Sequence, residues 1–377
     1  MKMDMIKAKV PFSPEEAGYD SSRLEVLDAR LKELVEKKAL QGAFYALSRH
    51  GKMFANRAIG KQSFREDDTR LIQPDSIRRI ASISKFFTAA SIMKLVEDGR
   101  LMVDSSVSRY IREFDNEVHR NIKIHHLLTH TSGLAPDGGV YTHPYPISPW
   151  DIMYNKDANR NWIESFLSVP MNGKPGERWQ YSSLGFAVLA ELLQKVTDMP
   201  IEDFVTKNIL KPLGMEDSSY TPEQIDRIVT TKEYDEFWTQ NDQDRIKIPS
   251  GGSGLYSTAP DLLKFGEMLC QKGQRNGVRI LGRKTVEKMA TNVLHNVPDF
   301  CWEHNIMSHE YGLGPEMKYG DIEFLYTPGT FGHEGSGFSL LIIDPVEELV
   351  ATWFVLEEGW YPEAVVGVSN IIWSGIL

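Results

Sequence analysis

Strand-like segments sit at the two ends of this chain with a long helical stretch between them, and that arrangement narrows the fold more than any other feature. Ala43 to Ser48 and Met53 to Gly60 flank Arg49-His50-Gly51-Lys52, a turn-like break that predicts a hairpin. Far along the chain, Phe338 to Ile343 and Leu349 to Leu356 read as buried strands, with another predicted from Glu323. Between them, from Asp104 to about Arg245, short helical patterns alternate with loops. An antiparallel sheet assembled from both chain ends is the arrangement that pairs these segments. Helices are predicted over Ser13 to Lys38, where Leu24, Leu27, Leu31, Leu34 and Val35 recur at helical spacing, over Asp261 to Lys272, and over Pro362 to Ile376. The class is α+β. At 377 residues the chain is long for one core, so two subdomains are expected: residues 1–97 with 246–377, and a mostly helical insertion over 98–245, with the active site between them.

Composition narrows the partners. The formal net charge of -10 argues against nucleic acid. Hydrophobic residues at 41% and charged residues at 25% are those of a soluble globular protein. The stretch from Met1 to Pro14 has no apolar h-region and no segment approaches a membrane span, so a cytoplasmic location is expected, with no membrane contact. Cys270 and Cys301 supply neither a disulfide framework nor a zinc site.

The chemistry starts at Ser82-Ile83-Ser84-Lys85, at the head of a strongly apolar run. In a helix, residues three apart share a face, with Cβ atoms about 5–6 Å apart. Ser82 would present its hydroxyl beside the amine of Lys85. A serine hydroxyl is a weak nucleophile without a neighbouring base. Lysine becomes that base only where burial or a nearby cation lowers its pKa. Phe86, Phe87, Ala89, Ala90, Ile92, Met93, Leu95 and Val96 cover nearly every side of this helix, which is the pattern of a buried one.

Two more stretches complete the set. Trp179-Gln180-Tyr181-Ser182-Ser183-Leu184-Gly185 precedes a helical segment, and Gly332-His333-Glu334-Gly335-Ser336-Gly337 leads into the strand from Phe338. Ser82 to Lys85, Tyr181 to Ser183 and His333 to Gly335 stand in the order Ser-x-x-Lys, Tyr-x-Asn/Ser, Lys-Thr-Gly/His-x-Gly. The chain therefore resembles the serine β-lactamase and penicillin-binding protein superfamily, in its class C-like branch with family VIII carboxylesterases and D-aminopeptidases. The segments Ile124 to Leu134, Gly251 to Ala259 and Tyr311 to Gly314 resemble it too. The resemblance implies a β-lactamase/transpeptidase-like fold, an antiparallel sheet flanked by helices plus a mostly helical subdomain.

It also implies roles. Ser82 would be the nucleophile, Lys85 and Tyr181 would share the proton work, and the backbone amides of Ser82 and Ser336 would form the oxyanion hole. A cationic neighbour is expected to lower the Tyr181 phenol pKa. Strand alternation puts His333 and Gly335 on the pocket side and Glu334 on the other, and a glycine at 335 suits a strand edge that substrate approaches. Penicillin-recognising relatives carry lysine where this chain has His333, and asparagine where it has Ser183. Neutral histidine is a weaker anchor for a carboxylate, though its ring can donate a hydrogen bond. Both changes favour small esters or amides over β-lactams. His126 and His130 are four apart, but no glutamate completes a metalloprotease pattern, so no metal is expected and no cofactor.

The loop from Ala135 to Asp157 carries four prolines and several aromatics and reads either as a lid over the pocket or as an ordered surface loop whose aromatics pack inward. Tyr145 and Trp302 are the aromatics expected to reach substrate. The expected function is hydrolysis of small carboxylic esters through a Ser82 acyl-enzyme. The alternatives are a D-amino-acid amidase or aminopeptidase, a weak β-lactamase, and, outside catalysis, a scaffold with vestigial activity.

Overall fold

Seven strands drawn from both chain ends pair into one antiparallel sheet. The computed structural model describes residues 3–138, 161–232, 248–303, 306–318, 322–356 and 362–377. The main-sheet strands are β1 (Ile6–Lys7), β2 (Gly42–Arg49), β3 (Lys52–Gly60), β4 (Glu316–Met317), β5 (Phe331–Gly335), β6 (Ser339–Asp344) and β7 (Leu349–Leu356). Their order is β1-β3-β2-β7-β6-β5-β4. The ladder that joins the chain ends is β2 with β7, running from Gly42 opposite Leu356 to Arg49 opposite Leu349.

Alternation sorts the side chains to two apolar faces. Phe44, Ala46, Leu341, Ile343, Val350 and Phe354 belong to the inner face. Tyr45, Leu47, Leu340, Ile342, Ala351 and Trp353 belong to the outer one. Helices α1 (Ser21–Glu36) and α5 (Val368–Trp373) cover the outer face. On the inner side lie α2 (Ser84–Glu97), α3 (Ser183–Thr197) and α4 (Ala259–Cys270), which share one continuous core with the sheet. Phe87 of α2 stacks on Phe265 of α4 at 3.9 Å between ring centroids, a pair that contributes about 0.5–1.5 kcal/mol beyond its buried area. Gly266 lets α4 lie close on the sheet, because a Cβ there would stand 2.5 Å from Cγ1 of Val350.

Three expected boundaries shift. The first long helix starts at Ser21 rather than Ser13. Gly18 in the left-handed region (φ 67°) ends a short turn over Glu15–Ala17, and the Asp20 carboxylate then caps α1 by accepting from the Ser22 amide at 2.9 Å. The C-terminal helix opens as a π-helical turn, Pro362–Gly367, before α5. No strand forms from Glu323. There the Leu325 amide donates to Oδ1 of Asn370 and Nδ2 of Asn370 donates to the Glu323 carbonyl, so one side chain of α5 takes the groups a ladder would use. No helix among the described residues is long and apolar enough to cross a membrane.

Candidate active site

Ser82 sits in a 3-10 turn, Ala81–Ile83, that leads directly into α2. Ala81 holds φ at 46°, a left-handed angle that is unusual for a residue with a side chain. One turn on, Lys85 is fully buried, and its Nζ lies 2.9 Å from each of three oxygens: Oγ of Ser82, Oγ of Ser183 and the carbonyl of Gly252. Burial among the apolar residues of α2 and α3 pulls its pKa down to about 8, opposed by the nearby charge of Asp137. The sequence expectation of a dry lysine beside the serine is met in this geometry.

Asp137 is the residue the sequence reading missed. Its Oδ1 accepts the Ser183 amide at 2.7 Å and its Oδ2 accepts the Ser183 hydroxyl at 2.5 Å. Desolvation raises its pKa, against the pull of Lys85. Ser183, placed at the start of α3, thus links Lys85 to a carboxylate from another segment. No local periodicity marks Asp137, and a turn-like Ala135-Pro136-Asp137-Gly138 reads as loop. In the sequence Gly252 stands out only as part of the family-like stretch Gly251 to Ala259. The stretch passes so close to α3 that a Cβ on Gly252 would lie 2.6 Å from the Ser183 carbonyl.

Hydrogen-bond directions follow from what each group can do. The Gly252 carbonyl only accepts. Ser183 gives its one hydroxyl proton to Asp137, so towards Lys85 it also accepts. A neutral Lys85 amine therefore commits both N–H bonds to these two and turns its lone pair to Ser82.

Tyr181 stands across the site. The Lys85 ammonium lies 4.7 Å from its ring centroid, and its hydroxyl bonds Ser82. The expected fall in the phenol pKa is not found. Burial pushes it well above 10, and the neighbouring Tyr311 and Asp137 add to the rise, so the phenol keeps its proton. His130 stacks on Tyr181 at 4.4 Å, and its Nδ1 accepts from the Ser182 amide at 3.1 Å, while Nδ1 of His126 accepts from the Lys123 amide at 3.0 Å. His126 thus serves its own helix start, and His130 ties its segment to the one that carries Tyr181.

A cavity of about 1010 Å³ opens over the serine, and Ser82, Tyr181, His333, Gly335, Ser336 and Trp302 all line it. Trp302 is 47% exposed, with its ring 5.4 Å from Tyr181. Tyr145 lies outside the described residues. Lys85 and Ser183 are behind the wall. Gly335 is required for a different reason from the one expected: a Cβ there would meet the Ile80 carbonyl at 2.2 Å, so the missing side chain lets β5 close on the turn that carries Ser82. Glu334, expected to face away, also lines the cavity, and Lys318 grips both it and Glu316 at 2.7 and 2.6 Å.

His333 is 4% exposed, and its Nδ1 lies 2.7 Å from the Glu334 carbonyl. That carbonyl only accepts, so the proton is on Nδ1 and Nε2 carries the lone pair. Burial and the Lys85 charge bring its pKa down to about 3, which keeps the ring neutral. The ring nitrogen left without a partner is thus an acceptor, where the sequence suggested a donor.

A sheet built from both chain ends, a buried Ser-x-x-Lys turn and a facing tyrosine are the features of a β-lactamase/transpeptidase-like fold. Comparison with known proteins agrees. The Beta-lactamase family model matches residues 27–369. The chain is 28% identical over 289 residues to esterase EstB of Burkholderia gladioli, covering 68% of this chain and 72% of that protein. It superposes on EstCE1, a hydrolase with promiscuous acyltransferase activity, with a TM-score of 0.75 at 20% identity, covering 94% of this chain and 99% of the other. A penicillin-binding protein homologue from Caulobacter crescentus gives 0.75 at 17% identity, covering 95% and 99%. The chain belongs to the β-lactamase family and is a serine hydrolase of that family.

Proposed function

We propose that the protein hydrolyses small carboxylic esters through an acyl-enzyme on Ser82. The observation that carries this reading is the buried Lys85 amine, 2.9 Å from Oγ of Ser82 and with a pKa near 8. At pH 7 about a tenth of such a lysine is neutral, enough for a general base. Lys85 takes the hydroxyl proton as Oγ bonds the ester carbonyl carbon, and the backbone N–H groups of Ser82 and Ser336 hold the oxyanion. The ester C–O bond breaks, and the departing alkoxide takes the phenolic proton of Tyr181, which Lys85 replaces. Water then attacks the acyl-enzyme, its proton returning by the same groups to Ser82, and the acid leaves. Lysine is the first base in this scheme, since the Tyr181 phenol is held protonated.

The walls support this substrate class. β-Lactams carry a carboxylate, and neutral His333 gives it no cation. An aminopeptidase needs a carboxylate for the substrate ammonium, and Glu316 and Glu334 are both spent on Lys318. The similarity to esterase EstB supports esters. The test is p-nitrophenyl acetate turnover with Ser82→Ala beside the wild type, and fluorophosphonate labelling read by mass spectrometry. Turnover and labelling are both expected to vanish in the variant. Labelling that persists without Ser82, or a rate loss below about a hundredfold, rejects the nucleophile.

A further inference from the structure

Three residues that line the cavity each keep a buried polar atom with no hydrogen-bond partner among the described residues: Nε2 of His309, Nε2 of His333 and Oη of Tyr311. A buried acceptor left unpaired costs about 1–3 kcal/mol, and native proteins keep such groups chiefly where a ligand or ordered water completes them. Their chemistry is directional. In His333 the Glu334 carbonyl holds the Nδ1 proton, leaving Nε2 as an acceptor. His309 is built alike: Oδ2 of Asp299, itself fully buried, lies 3.3 Å from its Nδ1, so that nitrogen bears the proton. Trp179 stacks on the His309 ring at 4.3 Å and fixes its plane. Beside them Trp302 exposes an aromatic ring along the same wall.

Directional acceptors next to an exposed indole match a ligand that presents hydroxyl donors around an apolar ring face. Ammonium groups are a poorer match, because the wall carboxylates Glu316 and Glu334 are both already engaged by the Lys318 ammonium. We infer that the cavity wall around His309, His333 and Trp302 is a hydroxyl-binding subsite, and that the ester substrate is an O-acylated sugar or polyol. This rests on the esterase reading and specifies its alcohol. Hydroxyls of the alcohol part donate to Nε2 of His309 and of His333, while its ring lies on Trp302.

The test compares kcat/KM for methyl 6-O-acetylglucoside, ethyl acetate, 2-aminoethyl acetate and p-nitrophenyl acetate, in wild type, His309→Phe, His309→Gln and Trp302→Ala. The sugar ester is expected to exceed ethyl acetate by about tenfold or more, the worth of one good directional hydrogen bond. His309→Phe should erase that preference while p-nitrophenyl acetate stays within about twofold, and His309→Gln, which keeps an acceptor, should restore part of it. Trp302 is exposed, so its alanine variant folds and should also weaken the preference, mainly through KM. Equal rates on the sugar ester and ethyl acetate in the wild type overturn the inference, as does a uniform loss on all esters in His309→Phe. Preference for 2-aminoethyl acetate overturns it in favour of an ammonium site. Wild-type turnover of p-nitrophenyl acetate that survives Ser82→Ala breaks the esterase reading instead, a result that the sugar preference cannot imitate.

Discussion

Replacing Asp137 by asparagine changes one atom type and reverses a hydrogen bond two residues away from the nucleophile. The Ser183 amide can only donate, so it holds the amide oxygen of the new side chain where Oδ1 now sits. The NH2 group must then face the Ser183 hydroxyl in place of Oδ2. A donor there turns the Ser183 proton towards Lys85, where it competes with Ser82 for the amine lone pair. The loss of a charge-assisted bond of this kind is worth about 1.5–3 kcal/mol, or about 10- to 150-fold in kcat. A second signature is independent of the first. The base works in its neutral form, so kcat/KM rises with pH through the Lys85 pKa of about 8. Asp137 raises that pKa, so asparagine must move the rising limb to lower pH even as the plateau falls. The assay is kcat and kcat/KM on p-nitrophenyl acetate from about pH 5 to pH 10. A kcat within about twofold of wild type with an unmoved limb would refute the reasoning, and would mean that Asp137 only supports the loop.

Other outcomes follow from the same geometry. Because the His333 pKa is down near 3, the wild-type profile should show no limb from this ring between about pH 5 and pH 7; a limb there that disappears in His333→Gln would contradict the neutral-ring account. His333→Lys places a cation near Lys85, so p-nitrophenyl succinate should gain about tenfold relative to p-nitrophenyl acetate, while an unchanged ratio counts against the role given to this position. Gly335→Ala drives a Cβ against the Ile80 carbonyl and should cost about 1–3 kcal/mol, measured by urea unfolding, with activity reduced further as the Ser82 turn shifts. A variant as stable and active as wild type would show that β5 is not held against that turn as described.

Much of the architecture can be read along the chain because its causes are local. Nearly continuous apolar runs within residues 43–60 and 338–356 mark strands buried on both faces, and their position at the two ends favours a sheet that closes across the whole sequence. Ser82 and Lys85 lie one helical turn apart, so their contact is set by backbone geometry, and an all-apolar surround already predicts a buried amine. The errors at Ser13 and Glu323 arise where a single side chain, Asp20 or Asn370, outweighs the pattern.

Tertiary structure decided what the site can do with these residues. Lys85 meets Gly252, and Ser183 meets Asp137, only because separate segments converge, and no spacing rule connects them. The proton on His333 is set by a backbone carbonyl, and its neutrality by burial next to Lys85. Tyr181 stays a phenol because desolvation dominates its environment. Sequence names the groups that can carry charge and proton, but their pKa values and bond directions depend on which atoms surround them in three dimensions and on how much water is excluded.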